Sequence, residues 1–134
     1  MQLFDVQGIE IAAPADRVFQ FVRQPVNLPR WAHGFDTADE HRARMKTPAG
    51  AMDITLTTTA EPAARTVDWQ LGFPDGTVAL AQSRVTETTR GTSIYSFVLH
   101  APPVPLEQLE GALDEQRRTL RAELATLKQL MEAA

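Results

Sequence analysis

The feature that most constrains this chain is a two-residue hydrophobic period that runs from Phe35 to His100 and then gives way to one long helical stripe. Met52, Ile54 and Leu56 alternate with Asp53, Thr55 and Thr57, and Val67, Trp69, Leu71 and Phe73 alternate with Asp68 and Gln70. Such alternation marks strands with one dry and one wet face, the pattern of antiparallel pairing. Pro74-Asp75-Gly76 is a turn that sends Thr77 to Glu87 back as the return strand of a hairpin. Thr88-Thr89-Arg90-Gly91 is a second turn, leading into Thr92–His100, and weaker strands at 35–40 and 42–47 complete an antiparallel meander. Pro102, Pro103 and Pro105 then stop β structure, because proline lacks the N–H that a central strand donates. From Leu106 onward, Leu109, Leu113, Leu120, Leu124, Leu127 and Met131 recur at helical spacing. They predict one amphipathic helix of about 26 residues, ~39 Å long. Acids lead its first half and Arg117, Arg118, Arg121 and Lys128 follow, the polarity that the helix dipole favours.

The N-terminal third adds a strand and two short helices. Leu3 to Ile11 is apolar and β-branched, with Phe4 and Val6 on one parity and Ile9 and Ile11 on the other. A β-bulge at Gly8 would bring all four to one face. Ala13-Pro14-Ala15-Asp16 starts a helix whose stripe is Val18, Phe21 and Val22, widened by Phe19. Pro25 and Pro29 bracket a second short helical turn, with Asn27 as its cap and Trp31 at its exit.

Composition closes several functional classes. A chain of 134 residues is one domain, 1–134, able to bury roughly 65–70% of its unfolded surface. With no cysteine there are no thiol nucleophiles, thiolate metal sites or disulfides. His33, His41 and His100 are scattered without metal-ligand spacing, so no metal and no cofactor is expected. A net charge of −4 argues against a nucleic-acid partner. The first fifteen residues carry Asp5 and Glu10 and lack a signal-peptide pattern, and no run approaches the ~20 apolar residues of a membrane span. A cytoplasmic location without stable membrane insertion is the expectation, and the sequence fixes no oligomeric state. Ser83, Ser93 and Ser96 have no nucleophile elbow, and Asp53 and Asp68 fall on polar strand faces, so neither a triad nor a carboxylate pair is indicated.

A strand, two short helices ending in Trp, a meander of about six strands and a long C-terminal helix together resemble the START-like superfamily, also called the SRPBCC or polyketide cyclase/dehydrase-like family. The resemblance is carried by Ile9-Glu10-Ile11-Ala12-Ala13-Pro14-Ala15-Asp16-Arg17-Val18-Phe19-Gln20-Phe21-Val22, by Pro25-Val26-Asn27-Leu28-Pro29-Arg30-Trp31, and by Gly91-Thr92 with the terminal helix. It implies an α+β helix-grip fold: a curved antiparallel sheet of about six or seven strands wrapped around the C-terminal helix, with two short helices after the first strand. Members of this family include lipid, sterol and aromatic-ligand carriers, polyketide cyclases, ubiquinone-binding proteins and chaperone partners. They share no catalytic motif, so function must be argued from the site.

Two features hint at a hollow between sheet and helix. Small residues, Ala79, Ala81 and Ser83 with Ser96 on the next strand, recur where a core would be large, and Gln116 interrupts the apolar stripe between Leu113 and Leu120. Gln116 would orient a ligand, or would be satisfied by the sheet backbone, or would be exposed by a rotated helix. Arg84 and Gln82 share a parity with Val78 and Leu80; they enter the pocket if that parity faces the helix, and meet solvent if Ala79, Ala81, Ser83 and Val85 do. Tyr95 is a pocket phenol or a cross-strand packing residue. Trp31 and His33 follow the short helix near the open end of the cavity, His33 as a proton carrier or as a loop histidine beside a packing Trp. Trp69, Met45 and Met52 are pocket wall or core. His100 ends a strand, and His41 lies on the surface. The expected function is binding of a hydrophobic or aromatic small molecule between sheet and helix. The alternatives are a cyclase in which His33 or Tyr95 moves protons, and an interaction module marked by an exposed apolar patch.

Overall fold

The alternation becomes one seven-stranded antiparallel sheet in the computed structural model, which describes residues 3–47, 50–101 and 106–133. The strands are β1 (Phe4–Ile11), β2 (Phe35–Ala38), β3 (Arg42–Thr47), β4 (Gly50–Glu61), β5 (Thr66–Gly72), β6 (Val78–Glu87) and β7 (Ser93–His100), in the spatial order β1-β7-β6-β5-β4-β3-β2. β2 to β7 thus form a meander, and β1 pairs with β7. The two expected turns are where the backbone needs glycine: φ is +88° at Gly76 and +80° at Gly91. Asp75 Oδ1 fixes the first by accepting from the Thr77 N–H and hydroxyl.

Between β1 and β2 lie α1 (Ala15–Val22), a short 3-10 turn (Pro25–Asn27) and α2 (Leu28–Trp31); the C-terminal helix is α3 (Leu106–Ala133). α1 buries Ala15, Val18, Phe19 and Val22, while Phe21 is half-buried beneath the Arg30 guanidinium, 5.0 Å from its ring. Asn27 does not cap α2. Its Nδ2 donates back to Phe21 O at 3.0 Å, tying α2 to the end of α1. α3 buries Leu113, Leu120, Leu124, Leu127 and Met131 and packs against β1 and α2. The proline stop at Pro102, Pro103 and Pro105, and the Leu109 side chain, fall outside the described residues.

The structure settles the parities and corrects two further expectations. On β6 the inward set is Ala79, Ala81, Ser83 and Val85, and on β7 it is Ser93, Tyr95, Phe97 and Leu99. Gln82, Arg84 and Ser96 therefore face outward, so Ser96 adds nothing to the small-residue stripe. There is also no bulge at Gly8. β1 pairs with β7 residue for residue from Phe4↔His100 to Ile11↔Ser93, leaving Phe4 and Val6 outside at 51% and 56% exposure. Asp5 and Gln7 turn inward instead, beside Ile9 and Ile11, because α3 supplies them with partners. Gln7 Nε2 donates to Asp5 Oδ2 at 2.7 Å and to Arg117 O at 3.0 Å, and Arg117 Nε lies 3.4 Å from Asp5 Oδ1. An unbroken ladder keeps every backbone pair, which a bulge would have interrupted.

Candidate functional site

Strand register lines the inner face up in rows. One row runs Asp5, Leu99, Ala81, Trp69 and Thr58; the next runs Gln7, Phe97, Ser83, Val67 and Ala60. Ala81 and Ser83 on β6 are small, so the large rings of β5 and β7 lean toward each other above them. Trp69 and Phe97 stack at 5.9 Å and 25°. Trp31, delivered by α2, lies tilted against Trp69 at 6.3 Å and 56° and meets Tyr95 edge-on at 6.0 Å, and Tyr95 meets Phe97 at 6.3 Å. Such tilted and offset contacts suit the ring quadrupoles, and each contributes about 0.5–1.5 kcal/mol beyond burial.

The polar groups of this interior divide into two kinds. Ser83 Oγ donates to Val67 O at 2.7 Å, and Ser93 Oγ donates to Ala13 O at 2.6 Å; both are satisfied by backbone. Trp31 Nε1, Trp69 Nε1, Thr58 Oγ1 and Gln116 Oε1 are enclosed without a hydrogen-bond partner among the described residues, and the enclosed Tyr95 OH has only the Ser83 hydroxyl, already bonded to Val67 O, beside it there. Arg117 Nε also lacks a hydrogen-bond partner there, despite its ion pair with Asp5. An unpaired buried polar group costs about 1–3 kcal/mol, and native interiors pair nearly all of them. Trp31 Nε1, Trp69 Nε1 and Tyr95 OH belong to the aromatic group, Thr58 neighbours it across the β4–β5 ladder, and Gln116 Oε1 lies on the inward stripe of α3 between Leu113 and Leu120. Burial pushes the Tyr95 phenol above its ordinary value, so it stays neutral and keeps its proton to donate.

Glu123 adds a carboxyl. It stands three residues after Leu120 and four before Leu127, on the inward side of α3. Its Oε2 accepts the His33 N–H at 2.6 Å, which fastens the loop between α2 and β2 to the helix. Burial pushes its carboxyl up to about 7, against the His33 and Gly34 N–H groups, which pull it down.

The structure gathers some of the candidate residues and disperses others. Trp31, Trp69, Tyr95 and Gln116 share the interior. Met45 is half-buried opposite Met52, and a Cβ on Gly34 would meet its terminal methyl at 3.4 Å. The His33 ring is exposed and hydrogen-bonds Thr126 Oγ1 at 3.1 Å, so it points along α3 and away from the aromatic group. Arg84 lies on the outer face, beside a shallow depression of about 290 Å³ shared with Thr66, Asp68, Gln82 and Ser96. It is removed from the interior because Ser83 and Val85 hold the inward parity. His100 Nε2 pairs with Gln82 Oε1 at 2.9 Å, also outside, and His41 is exposed. Glu123, Thr58 and the Asp5–Gln7–Arg117 group escaped the sequence reading. Glu123 was legible as a second polar residue on the helical stripe, and Thr58 as the continuation of the Ile54–Leu56 parity. Among the described residues no three His, Asp or Glu side chains are grouped to hold a metal ion, and no helix is long and apolar enough to cross a membrane.

Comparison with known proteins places this geometry. The solved structures similar to it include a START superfamily protein from Mycobacterium smegmatis, 15% identical with a TM-score of 0.72, covering 96% of this chain and 99% of that one. Protein XoxI from Bacillus cereus is 18% identical with a TM-score of 0.74, covering 97% and 96%. The Zhui aromatase/cyclase from Streptomyces sp. R1128 is 12% identical with a TM-score of 0.70, covering 96% and 93%. At these identities the likeness is one of fold. A search of curated protein sequences finds no significant match. The family model described as polyketide cyclase / dehydrase and lipid transport matches residues 4–132. The chain is therefore a START-like protein and belongs to the polyketide cyclase / dehydrase and lipid transport family.

Proposed function

We propose that this protein binds an apolar, ring-bearing small molecule between the inner face of the sheet and α3. The observation that carries this reading is that the indole N–H groups of Trp31 and Trp69 are enclosed without a partner among the described residues, inside the aromatic group they form with Tyr95 and Phe97. Apolar rings supply the burial that drives association, and a few convergent polar groups fix orientation. Oxygen atoms on the ligand would meet Tyr95 OH and would satisfy Trp31 Nε1 and Trp69 Nε1, removing a cost that the free protein carries.

The test is a thermal-shift panel of fatty acids, sterols, quinones and phenolic polyketides. A ligand present at a hundredfold its Kd adds about 2.7 kcal/mol, which for a chain of this size raises Tm by about 8 °C. Both tryptophans of the chain lie in the site, so their intrinsic emission should change with the same ligand. Tyr95→Phe removes a buried hydroxyl that meets the Ser83 hydroxyl, itself bonded to Val67 O, so it should change the free protein's stability little while reducing the shift. No shift and no change in emission with any class would overturn the reading.

A cyclase-type activity is favoured by one observation, the half-buried Glu123 carboxyl that accepts the His33 N–H on the inward side of α3, which burial pushes up to about 7. Such a group exchanges protons near neutrality. The Zhui aromatase/cyclase and the di-domain aromatase/cyclase BexL, of whose chain this one spans about half, share the fold. Recovery of a bound ligand unaltered after prolonged incubation would count against turnover.

A further inference from the structure

We infer that Gln116 and Glu123 form an acceptor row on α3 that selects ligands carrying a hydroxyl at each end of an apolar body, a specificity that rests on the binding function proposed above. The two residues are seven positions apart, two helical turns, which separates them by about 10 Å along one face. That face is the inward one, shared with Leu113, Leu120, Leu124 and Leu127. Gln116 presents an enclosed Oε1 with no partner. Glu123 accepts backbone N–H groups of the α2–β2 loop, and a carboxylate with about four lone-pair directions keeps room for a ligand hydroxyl.

The opposite wall has the complementary chemistry. The indole N–H groups of Trp31 and Trp69 only donate, and the Tyr95 and Thr58 hydroxyls do either. The donor-only groups therefore lie on β5 and α2, while the unpartnered Gln116 Oε1 and the Glu123 carboxylate on the helix accept. A hydrocarbon tail satisfies neither wall, and a ketone or ether oxygen satisfies only the sheet side. A hydroxyl satisfies both, because it donates to α3 while accepting from an indole or phenol.

The groups that face Glu123 are the N–H groups of His33 and Gly34, the Tyr95 phenol on β7, and, beside it, the His33 ring tied to Thr126. A bound hydroxyl donates more strongly to the ionised carboxylate. Affinity for such a ligand should therefore rise with pH through about 7.

Calorimetry with estradiol, a rigid diol whose hydroxyls stay protonated throughout, and with its 3,17-dimethyl ether tests this on the full chain. At pH 8 the diol should bind about tenfold more tightly than the ether, and the advantage should shrink at pH 5.5. Glu123→Gln should abolish the pH dependence, and Gln116→Leu should weaken the diol about tenfold while sparing the ether. Melting curves confirm that each variant is folded, and Glu123→Gln alone decides the matter if Gln116→Leu is not. An ether bound as tightly as the diol overturns the acceptor row and leaves the binding function standing. A pH dependence that survives in Glu123→Gln overturns the part given to Glu123. Binding of other panel ligands but of neither probe also overturns the row; no binding by anything removes the reading on which it rests.

Discussion

Along β7, Tyr95, Phe97 and Leu99 face α3 while Ile94, Ser96 and Val98 face away, and the two sets treat polar and apolar groups oppositely. On the outer face the polar groups find partners. His100 meets Gln82, Ser96 Oγ reaches Arg84 O, and Glu10 accepts from Arg90 and Thr92, whose hydrogen bonds hold its carboxyl below the usual carboxylate range. The apolar groups there, Phe4, Val6, Val78, Leu80 and Ile94, stay exposed. On the inner face the apolar groups are covered, and beside satisfied groups such as Ser83 and Ser93 the indole N–H groups of Trp31 and Trp69 lack partners among the described residues. Exposed apolar side chains cost little, since they are wet in the unfolded chain too. Enclosed unpaired donors do cost, so the inner face is where this sheet gives up stability. Stability surrendered that way is a mark of function. The outer strip matches the patch expected of an interaction module, but among the described residues no side-chain atom on that face is both enclosed and unpaired.

The sharpest way to break this comparison is one substitution on each face. Trp31→Ala removes a ring that is 2% exposed and touches Trp69 and Tyr95, and should cost about 3–5 kcal/mol in denaturant unfolding. Phe4→Ser removes a ring that is half exposed and should stay within about 1 kcal/mol of the parent. Equal losses would mean that the outer face is covered in solution and that the contrast between the faces is false.

A smaller effect sharpens the same contrast through pH. In the folded protein Glu123 holds its proton up to about 7, whereas in the unfolded chain it releases it near the ordinary value of 4.5. Between those values the folded state binds more protons, so stability is greatest below about 4.5 and falls until the pH passes about 7. The shift corresponds to about 3 kcal/mol at full burial, and for this half-buried carboxyl about 2 kcal/mol is expected. Glu123→Gln keeps an acceptor for the His33 N–H and removes the charge. It should lack this slope and exceed the parent in stability at pH 8. Urea titrations of both proteins at pH 5 and pH 8 would show it, and parallel slopes would exclude Glu123 as the source.

Most of the fold was legible because its elements obey local rules. Turn glycines, a period of two and a helical stripe need no tertiary information, and Pro74-Asp75-Gly76 and the Leu113–Met131 stripe are where those rules put them. Tyr95, Trp69 and Gln116 were visible as candidates, but their convergence depends on register, which links residues such as Thr58 and Trp69 that are distant along the chain. Arg84 and Ser96 show the limit. Both parities of β6 and β7 mix small, polar and apolar residues, so the pattern names no inward face until Trp69 and Val67 on β5 are paired with Ala81 and Ser83. Asp5 and Gln7 were obscured by a different competition. Burying Phe4 and Val6 through a bulge lost to an unbroken ladder whose inward polar residues bond to α3.

The smallest predicted effect tests that outcome at Gly8. A bulge built on glycine places it in the left-handed region, where a branched residue is strained and would cost more than about 1 kcal/mol. The observed Gly8 is absent from the positive-φ residues and pairs with Ser96 in regular register. A Cβ there would sit 3.7 Å from Tyr95 O and 4.0 Å from Ile94 Cγ2, ordinary contact distances on the outer face. Gly8→Val should therefore stabilise the protein by about 0.5 kcal/mol, through a less flexible unfolded chain and a better strand residue beside Ile94. A rise of 1–2 °C in Tm would show it. A fall of several degrees would mean that β1 is bulged in solution, that Phe4 and Val6 turn inward, and that the Asp5–Gln7–Arg117 group is not part of the interior at all.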